Sequence, residues 1–271
     1  MPELPEVETV KRVLETKILN HKIIDVKIKL DKIIKTDQNE FKQALIGNHF
    51  TKLDRMGKWL MLELSNTRVV LSHLRMEGKY YYKDSKLPAL KHEHVVFYFD
   101  NGMSLRYHDT RQFGTMELYQ NKDDVVTYLK AKLGPEPFVA TIDDLNVLSN
   151  KRIAIKTALL DQAILAGLGN IYVDEVLFKS RINPIRPSNK ITKKDKDNIL
   201  KYSIDILNDS IEKGGTTIYS FKSDQGIDGL FVQDLLVHTR KDQPCPNCNA
   251  TILKTKVNGR GTYYCPKCQK K

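Results

Sequence analysis

Two stretches hold residues whose types and spacing could do chemistry, and they lie at opposite ends of the chain. Cys245, Cys248, Cys265 and Cys268 read C-x2-C-x16-C-x2-C and account for all four cysteines of the 271 residues. Two Cys-x-x-Cys turns can each aim a pair of sulfurs at one tetrahedral metal, and this spacing falls in the zinc-ribbon range. The competing use, two disulfides, belongs to oxidising compartments. Four thiolates would close the coordination shell, so the expectation is one structural zinc rather than a catalytic one. The intervening ATILKTKVNGRGTYY predicts a β-hairpin turning at Asn258-Gly259, with Arg260 at its tip.

At the other end the chain opens Met1-Pro2-Glu3-Leu4-Pro5-Glu6. Removal of Met1 would expose a secondary amine on Pro2. An α-amine titrates at about 7.7–8.0, so a useful fraction is neutral near neutral pH. A neutral amine can attack a carbon bearing a leaving group and form an iminium. Glu3 and Glu6 stand close enough to transfer protons and to stabilise a developing sugar cation. The same residues also suit a plain helix start, because acids in a first turn complement the helix dipole.

These groups need elements to hold them. Val7, Val10, Leu14 and Ile18 recur at helical spacing and predict an amphipathic helix over residues 3–19. Short apolar runs then alternate with turns: IIDVKIKL from Ile23, WLMLELS from Trp59, RVVLSHL from Arg68, VVFYFD from Val95, MSLRYH from Met103 and GTMELY from Gly114. With a hairpin signal at Asn101-Gly102, they predict a β-sandwich or barrel. LGPEPF (133–138) is turn-rich. Helical patterns follow in TIDDLNVLS from Thr141, IAIKTALLDQAILA from Ile153, IYVDEVLFKS from Ile171, and from Thr192 to Lys213. Thr141 and Asp144 fit a capping box, and Gly214-Gly215 ends the last helix. The expected class is α+β multidomain: an N-terminal helix and β-sandwich, then a helical domain, then a zinc hairpin. The boundaries read 1–130, a linker at 131–150, helices at 151–237 carrying a surface loop at 214–230, and the zinc finger at 238–271.

Composition limits the partners. Hydrophobic residues make up 41% and charged residues 28%, which is a globular composition and not a disordered one. No apolar run is long enough for a membrane span, and the acidic start lacks a signal peptide's basic segment; a cytoplasmic protein with no membrane partner is expected. The net charge is +11. Much of it lies after His238, where eight Lys and Arg face one Asp. That bias favours a polyanion.

With these residues in view, the chain resembles the formamidopyrimidine-DNA glycosylases, the bacterial repair enzymes for oxidised guanine. The likeness rests on PELPEVETV at the start, MGKWL (56–60), HLRMEG (73–78), DTRQFGT (109–115), LLDQAILAGLGNIYVDEVLF (159–178), GGTT (214–217) and VNGRGTYYCPKCQ (257–269), in family order along nearly the whole chain. Leu4 fits the guanine branch; the endonuclease VIII branch usually opens PEGPE.

The resemblance implies a bifunctional glycosylase and abasic-site lyase of base excision repair. It would remove 8-oxoguanine and formamidopyrimidines from double-stranded DNA and cut the strand by β,δ-elimination. It would act as a monomer, hold one structural zinc and need no soluble cofactor. Pro2 would be the nucleophile at C1′, Glu3 the acid/base, and Glu6 its support. Lys58 would contact phosphate and help elimination, and Lys156 would stand near the active site. A glycosylase must flip its base out of the stack and fill the gap. Met76, Arg111 and Phe113 match the filling residues, and His73, which begins the segment that carries Met76, would be a further DNA-binding residue. Asn170, in a helix–two-turn–helix element, would grip phosphate, and Arg260 on the zinc hairpin would clamp the phosphates beside the lesion and so count among the catalytic residues with Pro2, Glu3 and Lys58. Loop 214–230 would close over the extruded base. Two positions depart from the family: Gln112 replaces a second Arg, and Val237-His238-Thr239-Arg240 replaces the usual VYGR. Two rivals remain: an oxidised-pyrimidine glycosylase of the endonuclease VIII type, and a non-enzymatic zinc-ribbon nucleic-acid binder.

Overall fold

The computed structural model describes residues 1–216 and 230–270. The chain divides into two compact units, with the first break between Ala131 and Lys132.

The first unit opens with helix α1 (Leu4–Ile18). Leu4, Val7, Val10, Leu14 and Ile18 are all 3% exposed or less, which is the stripe their spacing predicts. Eight strands follow: β1 (Ile23–Ile28), β2 (Phe50–Met56), β3 (Trp59–Leu64), β4 (Val69–His73), β5 (Lys79–Asp84), β6 (Glu93–Phe99), β7 (Met103–His108) and β8 (Thr115–Tyr119). Helix α2 (Gln38–Leu45) lies between β1 and β2, and helix α3 (Lys122–Lys130) follows β8. The strands form two antiparallel four-stranded sheets, ordered β1-β6-β7-β5 and β2-β3-β4-β8. One apolar core fills the space between them and takes in the buried face of α1. This is a β-sandwich with an N-terminal helix. The Asn101-Gly102 turn falls between β6 and β7, with Gly102 at φ +79°.

The second unit holds a 3-10 segment (Asp143–Asn150) and helices α4 (Ile155–Leu159), α5 (Asn170–Lys179) and α6 (Lys193–Glu212), followed by a hairpin of β9 (Leu253–Val257) and β10 (Arg260–Tyr264). Leu145 and Leu148 of the 3-10 segment are fully buried. Two helical expectations need correction. TIDDLNVLS winds as 3-10, not α. IAIKTALLDQAILA is α-helical only over Ile155–Leu159. Beyond that point Asp161 and Gln162 divert the backbone. The Asp161 side chain accepts the Ala163 N–H at 3.0 Å, and Gln162 Nε2 donates to the Leu160 and Leu168 carbonyls at 3.0 and 2.9 Å. Ile164 and Leu165 remain buried, so the apolar spacing marked burial without marking a helix.

Candidate functional site

In the first unit, Glu3 is the N-cap of α1 and Glu6 its N3 residue; the two form a capping box in which Glu6 Oε2 accepts the Glu3 N–H at 2.8 Å. Both carboxylates are nearly sealed, at 2% and 3% exposure. Pro2 stands just ahead of this cap and is half-buried. Lys58 belongs to the two-residue turn between β2 and β3, where Met56 pairs with Trp59 and Gly57 takes φ +57°. Sequence reasoning missed the residue that ties this turn to α1. Arg55 donates from Nη1 to the Gly57 carbonyl at 2.8 Å and from Nε to Glu8 Oε2 at 3.0 Å. Burial alone would raise the Glu8 carboxyl, but hydrogen bonds from Arg55 and Arg12 hold it below its ordinary value.

β4 pairs with β3 so that His73 lies opposite Trp59, and the two rings meet edge-on at 4.4 Å. Burial, followed by the positive charges of Arg75 and Lys58, pushes the His73 imidazole down to about 3. Its Nδ1 therefore accepts, here from the Arg75 N–H at 2.9 Å. The turn after β4 carries Met76, which is half-buried. The loop after β7 carries Arg111 and Phe113. Phe113 is 53% exposed, and the Arg111 guanidinium lies 5.1 Å from its ring centre.

An aromatic ring held out in water needs a rigid support, and Asp109 supplies it. Its fully buried carboxylate accepts the N–H groups of Arg111, Phe113 and Gly114 at 3.0, 2.9 and 2.8 Å. His94 Nε2 donates to the Asp109 carbonyl at 2.9 Å. Gln112, the departure from the family pattern, sits in the left-handed region at φ +58°. Asp109 was not singled out from the sequence, although Asp two residues ahead of a bonded N–H is the Asx-turn signature.

In the second unit, Gly169 is the N-cap of α5 and Asn170 its first residue, so Asn170 does not cap the helix. Its Nδ2 instead donates to the Gly261 carbonyl at 3.0 Å. Lys156 is fully buried; its Nζ bonds Asp174 Oδ1 at 2.7 Å and the same Gly261 carbonyl at 2.9 Å. The other oxygen of Asp174 accepts from His238 Nδ1 at 2.9 Å and from the Tyr263 N–H at 3.2 Å. Glu175 accepts the N–H groups of Leu236, Val237 and His238 at 2.8 to 3.0 Å. His238 thus faces inward, onto α5. These contacts fasten the β9–β10 hairpin to the start of α5. Asn258 (φ +46°) and Gly259 (φ +74°) form the hairpin turn, and exposed Arg260 follows. Residues 217–229, most of the 214–230 loop, lie outside the described residues.

The four cysteines converge. Their sulfurs all lie within 4.8 Å of one another, and none is in a disulfide. Cys245 and Cys268 are 3.9 Å apart, and Cys248 and Cys265 3.5 Å. A tetrahedron of Zn–S bonds requires sulfurs about 3.8 Å apart, so the donor set fits one zinc. Among the described residues no other cluster of His, Cys, Asp and Glu suits a metal.

Comparison with known proteins decides the family. The chain is 44% identical to the formamidopyrimidine-DNA glycosylase of Streptococcus mutans, with both chains fully covered. It is 45% identical to that of Bacillus licheniformis over the same full lengths. The chain belongs to the formamidopyrimidine-DNA glycosylase family. Residues 1–116 match the family's N-terminal domain, residues 133–222 its H2TH domain, and residues 242–271 a zinc finger found in FPG and IleRS. Among solved structures, a Lactococcus lactis member bound to DNA containing Fapy-dG superposes with a TM-score of 0.94 at 39% identity over the full length of both chains. The same bacterium's protein bound to abasic-site DNA gives 0.93 at 39% identity, again over both full lengths. No helix among the described residues is long and apolar enough to cross a membrane.

Proposed function

We propose that this chain is a bifunctional DNA glycosylase and abasic-site lyase that removes 8-oxoguanine and formamidopyrimidines from double-stranded DNA in the bacterial cytoplasm, acting as a monomer. The observation that carries the reading is the N-terminus. Pro2 immediately precedes a helix whose first turn fixes two buried carboxylates, and the positive end of that helix disfavours a cation there.

After loss of Met1, the Pro2 nitrogen attacks C1′ of the damaged nucleotide and the base leaves with the bonding pair. The N–H cation so formed gives its proton to the departing base anion; Glu3 then delivers a proton to the ring oxygen as the C1′–O4′ bond breaks, and the freed nitrogen lone pair closes to an iminium. Loss of a C2′ proton then expels the 3′ phosphate, a second elimination expels the 5′ phosphate, and hydrolysis frees Pro2. The product is a one-nucleotide gap. Glu6 holds the backbone beside Glu3. Lys58 meets phosphate at the turn fixed by Arg55. Met76, Arg111 and Phe113 fill the vacated stack, and Asn170 and Arg260 hold phosphates. Lys156 acts from behind, through Gly261. Zinc on Cys245, Cys248, Cys265 and Cys268 shapes the hairpin that carries Arg260. On this reading residues 1–130 are the catalytic domain, 151–237 the helical DNA-binding domain and 238–271 the zinc finger, while 214–230 covers the extruded base.

Borohydride trapping tests the reading. Reduction during turnover on an 8-oxoguanine duplex should give a covalent protein–DNA species that begins at Pro2. Pro2→Gly should lose most of it while retaining zinc. Undiminished trapping and excision by that variant, or an active protein that keeps Met1, would overturn the assignment. Faster excision of thymine glycol than of 8-oxoguanine would favour the endonuclease VIII reading.

A further inference from the structure

The three residues assigned to filling the stack come from two separate loops: Met76 from the turn after β4, Arg111 and Phe113 from the loop after β7. Two independent contacts join these loops. On the outside, the Thr110 hydroxyl donates to the Glu77 carboxylate. Each partner is the chain neighbour of a filling residue, and both are exposed. On the inside, both loops close over one phenol. Tyr107 is fully buried and donates to Asp109 Oδ2 at 3.4 Å. A Cβ added at Gly78, which ends the Met76 turn, would stand 2.4 Å from the Tyr107 hydroxyl oxygen, and one added at Gly114 would stand 1.5 Å from it. Both glycines are thus required by the same buried group.

We infer that the Glu77–Thr110 hydrogen bond clips the two loops into a single wedge and makes Glu77 and Thr110 positioning residues for recognition of the vacated site. The proposal rests on the reading given above, that Met76, Arg111 and Phe113 fill the vacated stack as a wedge. Glu77 places a negative charge beside a surface that binds phosphates, and by electrostatics alone its loss would strengthen DNA binding. The clip demands the opposite for damaged DNA, because a loosened Met76 must be ordered again each time the wedge inserts, at an entropic cost.

The test is discrimination, meaning the Kd for an undamaged duplex divided by that for the same duplex with a tetrahydrofuran abasic analogue, measured on the full chain. Thr110→Val removes the donor at constant shape. It should lower discrimination about three- to tenfold, the size of one net hydrogen bond. Glu77→Ala should lower it similarly while undamaged DNA binds equally or more tightly. Thr110→Ser and Glu77→Gln, which retain a donor and an acceptor, should restore most of the loss. The Thr110→Val/Glu77→Ala pair should lose no more than either single change. Phe113→Ala separates the two readings. If it lowers discrimination while Thr110→Val and Glu77→Ala do not, the clip is wrong and the wedge stands. Should Phe113→Ala leave discrimination unchanged, the wedge and the clip both fall. Losses that Thr110→Ser and Glu77→Gln do not rescue, or that add in the double variant, also overturn the clip.

Discussion

Lys156→Met is the sharpest test of how the second unit holds the hairpin that carries Arg260 against α5. The ammonium is fully buried, 2.7 Å from an equally buried Asp174 carboxylate. Methionine fills similar space but leaves that carboxylate without its cation. Removing one partner of a buried pair costs about 3–5 kcal/mol, because the remaining charge stays out of water. At about 2–4 °C per kcal/mol for a chain of this size, the lowest calorimetric transition should fall by roughly 6–20 °C. Asp174→Asn removes the charge yet keeps an acceptor for the Tyr263 N–H and the His238 ring. The double variant should therefore recover about 1–3 kcal/mol relative to the sum of the single losses. Gly261 would keep the Asn170 donor in every variant, so zinc content should be unchanged and DNA affinity should fall with stability. A Lys156→Met protein melting within about 2 °C of the parent, or strictly additive losses in the double variant, would refute the claim that this pair anchors the hairpin.

Three further outcomes are expected. His73 is neutral when folded and protonates near 3, but it binds a proton below about 6.5 once unfolded. The unfolded state therefore holds more protons between those limits, and stability must fall as pH drops through that window, by at most about 1.4 kcal/mol per pH unit for this group; His73→Gln should flatten the slope in denaturant titrations at several pH values. Arg260→Ala should weaken binding to all duplexes alike and reduce the salt slope by roughly one, read from Kd against salt concentration; an unchanged slope would remove Arg260 from the phosphates. Gly114→Ala drives a methyl group into the Tyr107 hydroxyl and should destabilise the sandwich by about 1–3 kcal/mol, seen as a lower Tm with zinc content unchanged.

What the sequence revealed followed how local each signal was. The turns at Asn101-Gly102 and Asn258-Gly259 were readable because two residues determine them. The α1 stripe was readable because its period matches one buried face. β2 and β5 were passed over, and both are sheet edges. FTKLDRM and KYYYKD carry the charges that edge strands use against unwanted pairing, and those charges hide the alternation. Helices α2 and α3 were also passed over, being short amphipathic pieces between strands. Among the candidate site residues, the cysteines were unmistakable from spacing. The supports were not: Arg55 reaches a partner 47 positions away and Lys156 one 105 away, and nothing in the local sequence marks such pairs. Lys156 is fully buried and bonds the Gly261 carbonyl, a partner on a distant strand.

The fastening of α5 also bears on the order in which the protein matures. Asp174 and Glu175 take hydrogen bonds from groups 61 to 89 positions further along the chain. As synthesis proceeds from the N-terminus, the sandwich has all its strands long before the helical unit has its last braces. On the proposed reading, a nascent chain therefore carries Pro2 and the stack-filling residues before it has the hairpin that carries Arg260. The grip of Arg260 on a phosphate must then wait until the residues up to Cys268 have been made and their four thiolates can close on one metal.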